Sequence, residues 1–194
     1  MNIIRASSLT PKPWKNGGGV TSEIVVSPPG ASFDAFDWRI STAIVEQDGP
    51  FSRFPGVDRT LALLKGGLKL KFADRPVVVL TPSSTPVCFP GDVDASAELW
   101  GGPAHDLNVM TRRGHWRASV EGHRQSFRVA ALPGFAKHPR CAIVMVDGSA
   151  TVHGTTSRSS LGPLDTVIVD PTTDPLDVSL SVDGFAYLVM IQAE

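Results

Sequence analysis

Glycine and proline interrupt this chain so regularly that no stretch sustains a helical period. Eighteen glycines and sixteen prolines punctuate its 194 residues. Proline removes a backbone donor, and glycine weakens the interior of any regular element. Between these residues lie short runs rich in Val, Ile, Leu, Phe and Thr, which fit a pleated, half-buried surface. The runs predict strands over Asn2–Ala6, Val20–Val26, Asp37–Val45, Arg59–Leu64, Leu68–Phe72, Val77–Leu80, Ala95–Trp100 and Asp106–Thr111. Further strands are predicted over Ser126–Leu132, Ala142–Val146, Ala150–His153, Thr166–Val169, Leu176–Val182 and Ala186–Ile191. The polar segment His115–Arg124 fits a turn, a short strand or a single helical turn. Many short strands with regular turn signals predict an all-β sandwich or barrel.

Two similar phrases run through the first half. Phe54-Pro55-Gly56-Val57-Asp58 precedes one strand and Phe89-Pro90-Gly91-Asp92 another, each followed by a Gly-Gly pair, Gly66-Gly67 and Gly101-Gly102. They fit a jelly-roll pattern, or two ordinary hairpin approaches built on a frequent turn dipeptide. The texture changes near Thr111–Arg124, and strand-like runs resume beyond it. Turns there include Pro133-Gly134, Asp147-Gly148, Gly162-Pro163 and Asp183-Gly184. No linker is long or of low complexity. The expected organisation is therefore two closely packed β modules, residues 1–115 and 116–194.

Eighteen basic and nineteen acidic side chains leave a net charge of −1. That balance offers no electrostatic footprint for nucleic acid or an anionic membrane. No apolar run approaches the roughly 20 residues a spanning helix needs. Met1-Asn2-Ile3-Ile4-Arg5 lacks a basic stretch followed by a long apolar one, so a cytoplasmic location is expected. Cys88 and Cys141 occur in apolar contexts and are expected to be buried free thiols, with one disulfide as the alternative.

The segment Pro13-Trp14-Lys15-Asn16-Gly17-Gly18-Gly19 stands apart. Consecutive glycines beside a strand serve a positive φ or a close backbone approach. Their amides can also form an anion-binding nest. A plain surface turn is the other reading.

Taken in order, these segments resemble the HutD/Ves family. The resemblance rests on Pro13–Thr21, Asp37-Trp38-Arg39-Ile40-Ser41, Asp48-Gly49-Pro50-Phe51-Ser52, Phe54–Arg59, Phe89–Asp92 and Asp106-Leu107-Asn108-Val109-Met110. It covers about the first 115 residues. It implies a cupin-type fold with two jelly-roll-type β-barrel modules in one chain, a bicupin. It also implies a link to histidine utilisation, or to the less defined role of the Ves branch. Members are thought to bind small molecules, with urocanate or formylated glutamate species as suggested ligands, and no catalytic activity attaches to the family.

The expected site lies in the first module. Alternate strand residues share a face, so Arg59 lies with Leu61 and Leu63 and points toward an interior. A buried guanidinium needs an anion or several acceptors. Its partner is either a carboxylate ligand, which its planar fork suits, or one of Asp58, Asp92 and Asp106. Arg39 and Ser41 share a face, opposite Trp38, Ile40 and Ile44. Asp106 and Asn108 share one with Met110; both are disfavoured in strands, which points to polar inward contacts. Trp14 either stacks on a planar ligand or plugs a barrel end. Asn16 can orient a ligand carbonyl, and the Asn16–Gly19 backbone, with Gly17 and Gly18 as binding residues, can close over it. Phe51, Phe54 and Phe89 read as core, and Lys15 as a solvated charge.

No metal or cofactor is expected. No histidine precedes His105, His115 and His123 lie in the polar connecting segment, and His138 and His153 stand apart. An acid–base set of Asp106, Arg59 and His105 is weakened because His105 alternates away from Asp106. Three readings follow: a metal-independent binder of a small carboxylate, a cupin-type isomerase or hydrolase for a small polar metabolite, or an interaction module with a filled barrel. An exposed strand edge allows a homodimer.

Overall fold

A computed structural model describes residues 1–130, 140–169 and 175–194. Pro133-Gly134, His138 and the far end of the Ser126–Leu132 run lie outside the described residues. The described chain is built from β-strands, with one short 3-10 turn at Ala6–Ser8 and no α-helix among the described residues. No helix there is long and apolar enough to cross a membrane. Contacts divide the chain into two compact units, Thr10–Arg117 and a second made of Met1–Leu9 with Ala118–Glu194. The first nine residues thus group with the second half of the chain rather than with the segment that follows them.

In the Thr10–Arg117 unit, a six-stranded sheet runs in the order Pro11–Pro13, Gly19–Ser27, Trp38–Val45, Ala104–Arg112, Val57–Lys65, Val87–Pro90. A four-stranded sheet has the order Gly49–Pro50, Ala95–Leu99, Leu68–Phe72, Val78–Leu80. Inward residues of both sheets form one core of Leu61, Leu63, Leu68, Leu70, Leu80, Phe89, Ala95 and Ala104. A five-stranded sheet, in the other unit but for Trp116 and Arg117, joins Asn2–Ile4, Thr166–Val169, Arg140–Asp147, Phe185–Ala193 and Trp116–His123. Its four-stranded partner has the order Phe127–Val129, Leu176–Leu180, Ala150–His153, Arg158–Leu161. The core here includes Ile143, Met145, Val152, Val167 and Val178.

The two Phe-Pro-Gly phrases meet in space. The Gly91 amide donates to Val57 O at 2.7 Å and the Phe54 amide to Gly91 O at 2.8 Å. A Cβ on Gly91 would lie 2.6 Å from Phe54 O, so only glycine admits this approach. Arg113 joins the segments by pairing with Asp58 at 2.8 Å and Asp92 at 2.7 Å.

The expectation of two buried thiols holds for Cys141 and fails for Cys88, which is exposed; both are free. Cys88 lies between the half-buried Val87 and the buried Phe89 on an edge strand, and alternation turns it outward.

Candidate functional site

Three adjacent strands of the six-stranded sheet, Trp38–Val45, Ala104–Arg112 and Val57–Lys65, build the site floor. Their register sets three rows across one face. Met110 lies between Arg39 and Arg59, Asn108 between Ser41 and Leu61, and Asp106 between Ala43 and Leu63. Successive rows are two residues apart, roughly 7 Å along the strands. The neighbouring strand Gly19–Ser27 shifts register between Glu23 and Val25. This bulge lets Glu23, opposite Ser41, and Val26, opposite Arg39, share the same face although they are three positions apart.

Over this floor lies a cavity of about 660 Å³. Trp14, Asn16, Arg39, Ser41, Arg59, Asp106 and Asn108 all line it. Gly17 and Gly18 do not. Gly17 takes a positive φ of 72°, and the Gly18 amide donates to the Asn16 side-chain oxygen at 3.1 Å, which makes a local Asx-type turn. A Cβ on Gly19 would strike the backbone oxygen of Ile44, so this glycine serves close strand packing. The glycine run therefore supplies the geometry of a turn and leaves lining to its flanks. Trp14 stands at the cavity with its Nε1 donating to Thr21 Oγ1 at 2.7 Å and its ring edge-on to Phe51.

Sequence reasoning assigned Phe51 and Phe54 to the core, yet both line the cavity, as do Phe33 and Met110. The signal lay in the Asp48–Ser52 and Phe54–Arg59 segments, but only the folded chain brings these rings to one guanidinium. Arg59 sits under Phe51, Phe54 and Phe89, 5.3, 5.3 and 5.1 Å from their centroids. It is 3% exposed. Its Nη1 donates to Ser52 O at 3.2 Å, while its Nε has no partner among the described residues. Among the described residues no carboxylate forms an ion pair with it. Ring quadrupoles offset part of the desolvation cost of such a cation. Burial lowers Arg59 to about 10 against the opposing charge of Asp106, so it stays charged at neutral pH.

Arg39 is 6% exposed and already engaged. Its Nε donates to Glu23 Oε2 at 2.9 Å, its Nη1 to Ser41 Oγ at 3.2 Å, and Phe33 lies 4.8 Å from its guanidinium carbon. Asp106 is 1% exposed. Burial pushes its carboxyl up to about 7, against the pull of the Arg59 charge and the Ala43 amide. Asp106 Oδ1 and Asn108 Oδ1 have no hydrogen-bond partner among the described residues.

His105 is placed on the other face, in contact with the Thr42 hydroxyl, which also donates to Asp106 O at 2.7 Å. It does not line the cavity. Among the described residues no group of three or more His, Cys, Asp or Glu gathers as metal ligands. The polar lining, which is guanidinium, ammonium, amide and hydroxyl with one carboxylate, does not suit a transition metal.

The HutD family model matches residues 6–188. An uncharacterized 21.2 kDa protein of the hutC 3′ region of Pseudomonas putida is 35% identical over 122 residues, 62% of this chain and 63% of that relative. Protein Ves of Citrobacter koseri is 39% identical over 115 residues, 59% of each chain. The matched stretch thus spans less than two thirds of either relative. HutD from Pseudomonas fluorescens SBW25 superposes with a TM-score of 0.81 at 28% identity, covering 100% of this chain and 98% of that one. A cupin 2 conserved barrel domain protein from Leptotrichia buccalis shares the fold at a TM-score of 0.61 and 10% identity, covering 100% and 96%. The architecture is all-β and cupin-like, and the chain belongs to the HutD family.

Proposed function

We propose that this protein is a metal-independent receptor for a small carboxylate and acts in the cytoplasm in connection with histidine utilisation. We read its two units as two cupin modules, with the ligand site in the Thr10–Arg117 unit. One observation carries the reading. Arg59 is buried, charged, without an ion-pair partner among the described residues, and turned to a cavity large enough for a metabolite. Leaving a charge in that condition costs several kcal/mol, on the order of the penalty for any unpaired buried ion. An incoming carboxylate removes that cost and meets the donor fork in its preferred geometry. Arg39, held by Glu23 and Ser41, adds positive potential at the same row. Lys12 and Lys15 line the cavity as well, so its cations outnumber its carboxylate. Family membership supports the histidine-utilisation link, and urocanate and formylated glutamate are the first ligands to test.

Calorimetry with urocanate, N-formylglutamate and formate checks the reading. Replacing Arg59 with Ala should weaken binding by about 2–5 kcal/mol, the usual cost of removing one partner of a buried charge pair. Unchanged affinity would refute the assignment. Asp106 favours a second reading. A buried carboxyl held near 7 beside the cavity suits general acid–base work on the bound metabolite, as a cupin-type isomerase or hydrolase requires. Turnover that disappears in Asp106→Asn while ligand affinity persists would favour it.

A further inference from the structure

Resting on the carboxylate reading, we propose that the cavity has a second subsite, formed by Asp106 and Asn108, that selects ligands carrying a neutral N–H donor beyond the carboxylate. Two buried acceptors on one strand, Asp106 Oδ1 and Asn108 Oδ1, lack any hydrogen-bond partner among the described residues, and both residues line the same cavity as Arg59. Both residues are over nine-tenths buried, at 1% and 8% exposure. Buried polar atoms in folded proteins are almost always satisfied, so orphaned acceptors beside a cavity mark where an occupant's donors belong. A simple carboxylate cannot serve them, because it brings only acceptors.

The row geometry separates the two requirements. Arg39 and Arg59 flank Met110 at one end of the floor, Asn108 occupies the next row, and Asp106 the row after it. A ligand with its carboxylate at the arginine row therefore places its far end over Asn108 and Asp106. Cationic donors are disfavoured there, since Arg39, Arg59, Lys12 and Lys15 already line the space. An amide N–H or a neutral ring N–H fits both the charge and the acceptors. The Asn108 amide can turn either end inward, whereas ionised Asp106 only accepts, so Asp106 sets the preference.

The test compares isosteric probes on the full-length chain by calorimetry at pH 8. Succinamate and glutaramate carry a terminal amide. Levulinate and 5-oxohexanoate match them in length and shape, with methyl in place of NH₂. An amide of at least one length should bind about tenfold tighter than its methyl ketone or better, because pairing orphaned acceptors is what separates the two. Asn108→Leu and Asp106→Leu should each shrink that ratio, and Asp106→Asn, which keeps an acceptor oxygen at the position, guards against loss of fold. Equal affinities of amide and ketone in the native protein would overturn the donor subsite while leaving the carboxylate reading intact. Binding of formate with none of the four longer acids would do the same. Failure of formate and all four acids would overturn the carboxylate reading, and the second subsite with it.

Discussion

Burial acts on Asp106 and Arg59 in opposite senses, and the consequences for stability can be measured. The folded protein holds the Asp106 proton up to about pH 7, well above the 3.8 usual for an aspartate carboxyl. A pKa raised on folding means that the native state binds the proton more tightly. Its contribution is fully present below about pH 4 and is lost as pH rises through 7, on the order of a few kcal/mol. Urea denaturation across that range should show stability falling with pH in the native protein and a flatter profile in Asp106→Asn. An identical slope in the variant would assign the dependence to other groups. Arg59 carries a standing desolvation cost instead. Arg59→Met, an apolar replacement of similar length, should raise the stability of the ligand-free protein by about 1–4 kcal/mol while abolishing carboxylate binding. Thermal unfolding with and without ligand reads both effects. Strand alternation was enough to place Arg39 with Ser41 and Asp106 with Asn108 and Met110. The ring enclosure of Arg59 was not legible, because Phe51, Phe54 and Phe89 reach it from separate segments.

Strands that sequence reasoning did not propose, or left undecided, share one property. Pro11–Pro13, Gly49–Pro50, Val87–Pro90, Arg158–Leu161 and Trp116–His123 all run along a sheet edge. An edge strand needs neither a full set of backbone donors nor an apolar run, so proline and polar residues are tolerated there. Central strands are paired on both sides and announce themselves by composition. The register shift at Glu23–Val25 is equally silent in the sequence, yet it puts Glu23 on the face where Arg39 needs a partner. Glycines at strand contacts give a direct test. Gly91→Ala forces a Cβ to within 2.6 Å of Phe54 O and 3.0 Å of Val57 O, both backbone atoms that cannot swing aside. The expected loss is about 1–3 kcal/mol, as for other overpacked sites, seen as a lower thermal midpoint. Gly17→Ala, where nothing lies within 4 Å, should cost only the strain of its positive φ.

The N-terminal segment completes a sheet whose other strands lie far along the chain. Asn2, Ile3 and Ile4 pair antiparallel with Ile168, Val167 and Thr166. Asp165 anchors the same junction, accepting from the Ala6 amide at 2.9 Å, the Gly162 amide at 3.0 Å and Arg5 at 2.6 Å. Burial raises its pKa, but these donors outweigh it and the net shift is downward. Its contribution is therefore present above the unfolded carboxylate pKa and fades as pH falls, opposite in sign to that of Asp106. Deleting Met1–Leu9 should speed hydrogen exchange at the Thr166–Ile168 amides, since an internal strand becomes an edge. Unaltered protection there would show that the pairing contributes nothing. By itself the amino-acid sequence determined the all-β character, most central strands and the faces that Arg39, Ser41, Asp106 and Asn108 take, because turn chemistry and the two-residue alternation are local. Only the tertiary structure decided which segments became edges, which rings enclose Arg59 and that Arg5 meets Asp165 across 160 positions. Those outcomes depend on contacts between distant segments, whose cost and reward are settled only when the whole chain is packed.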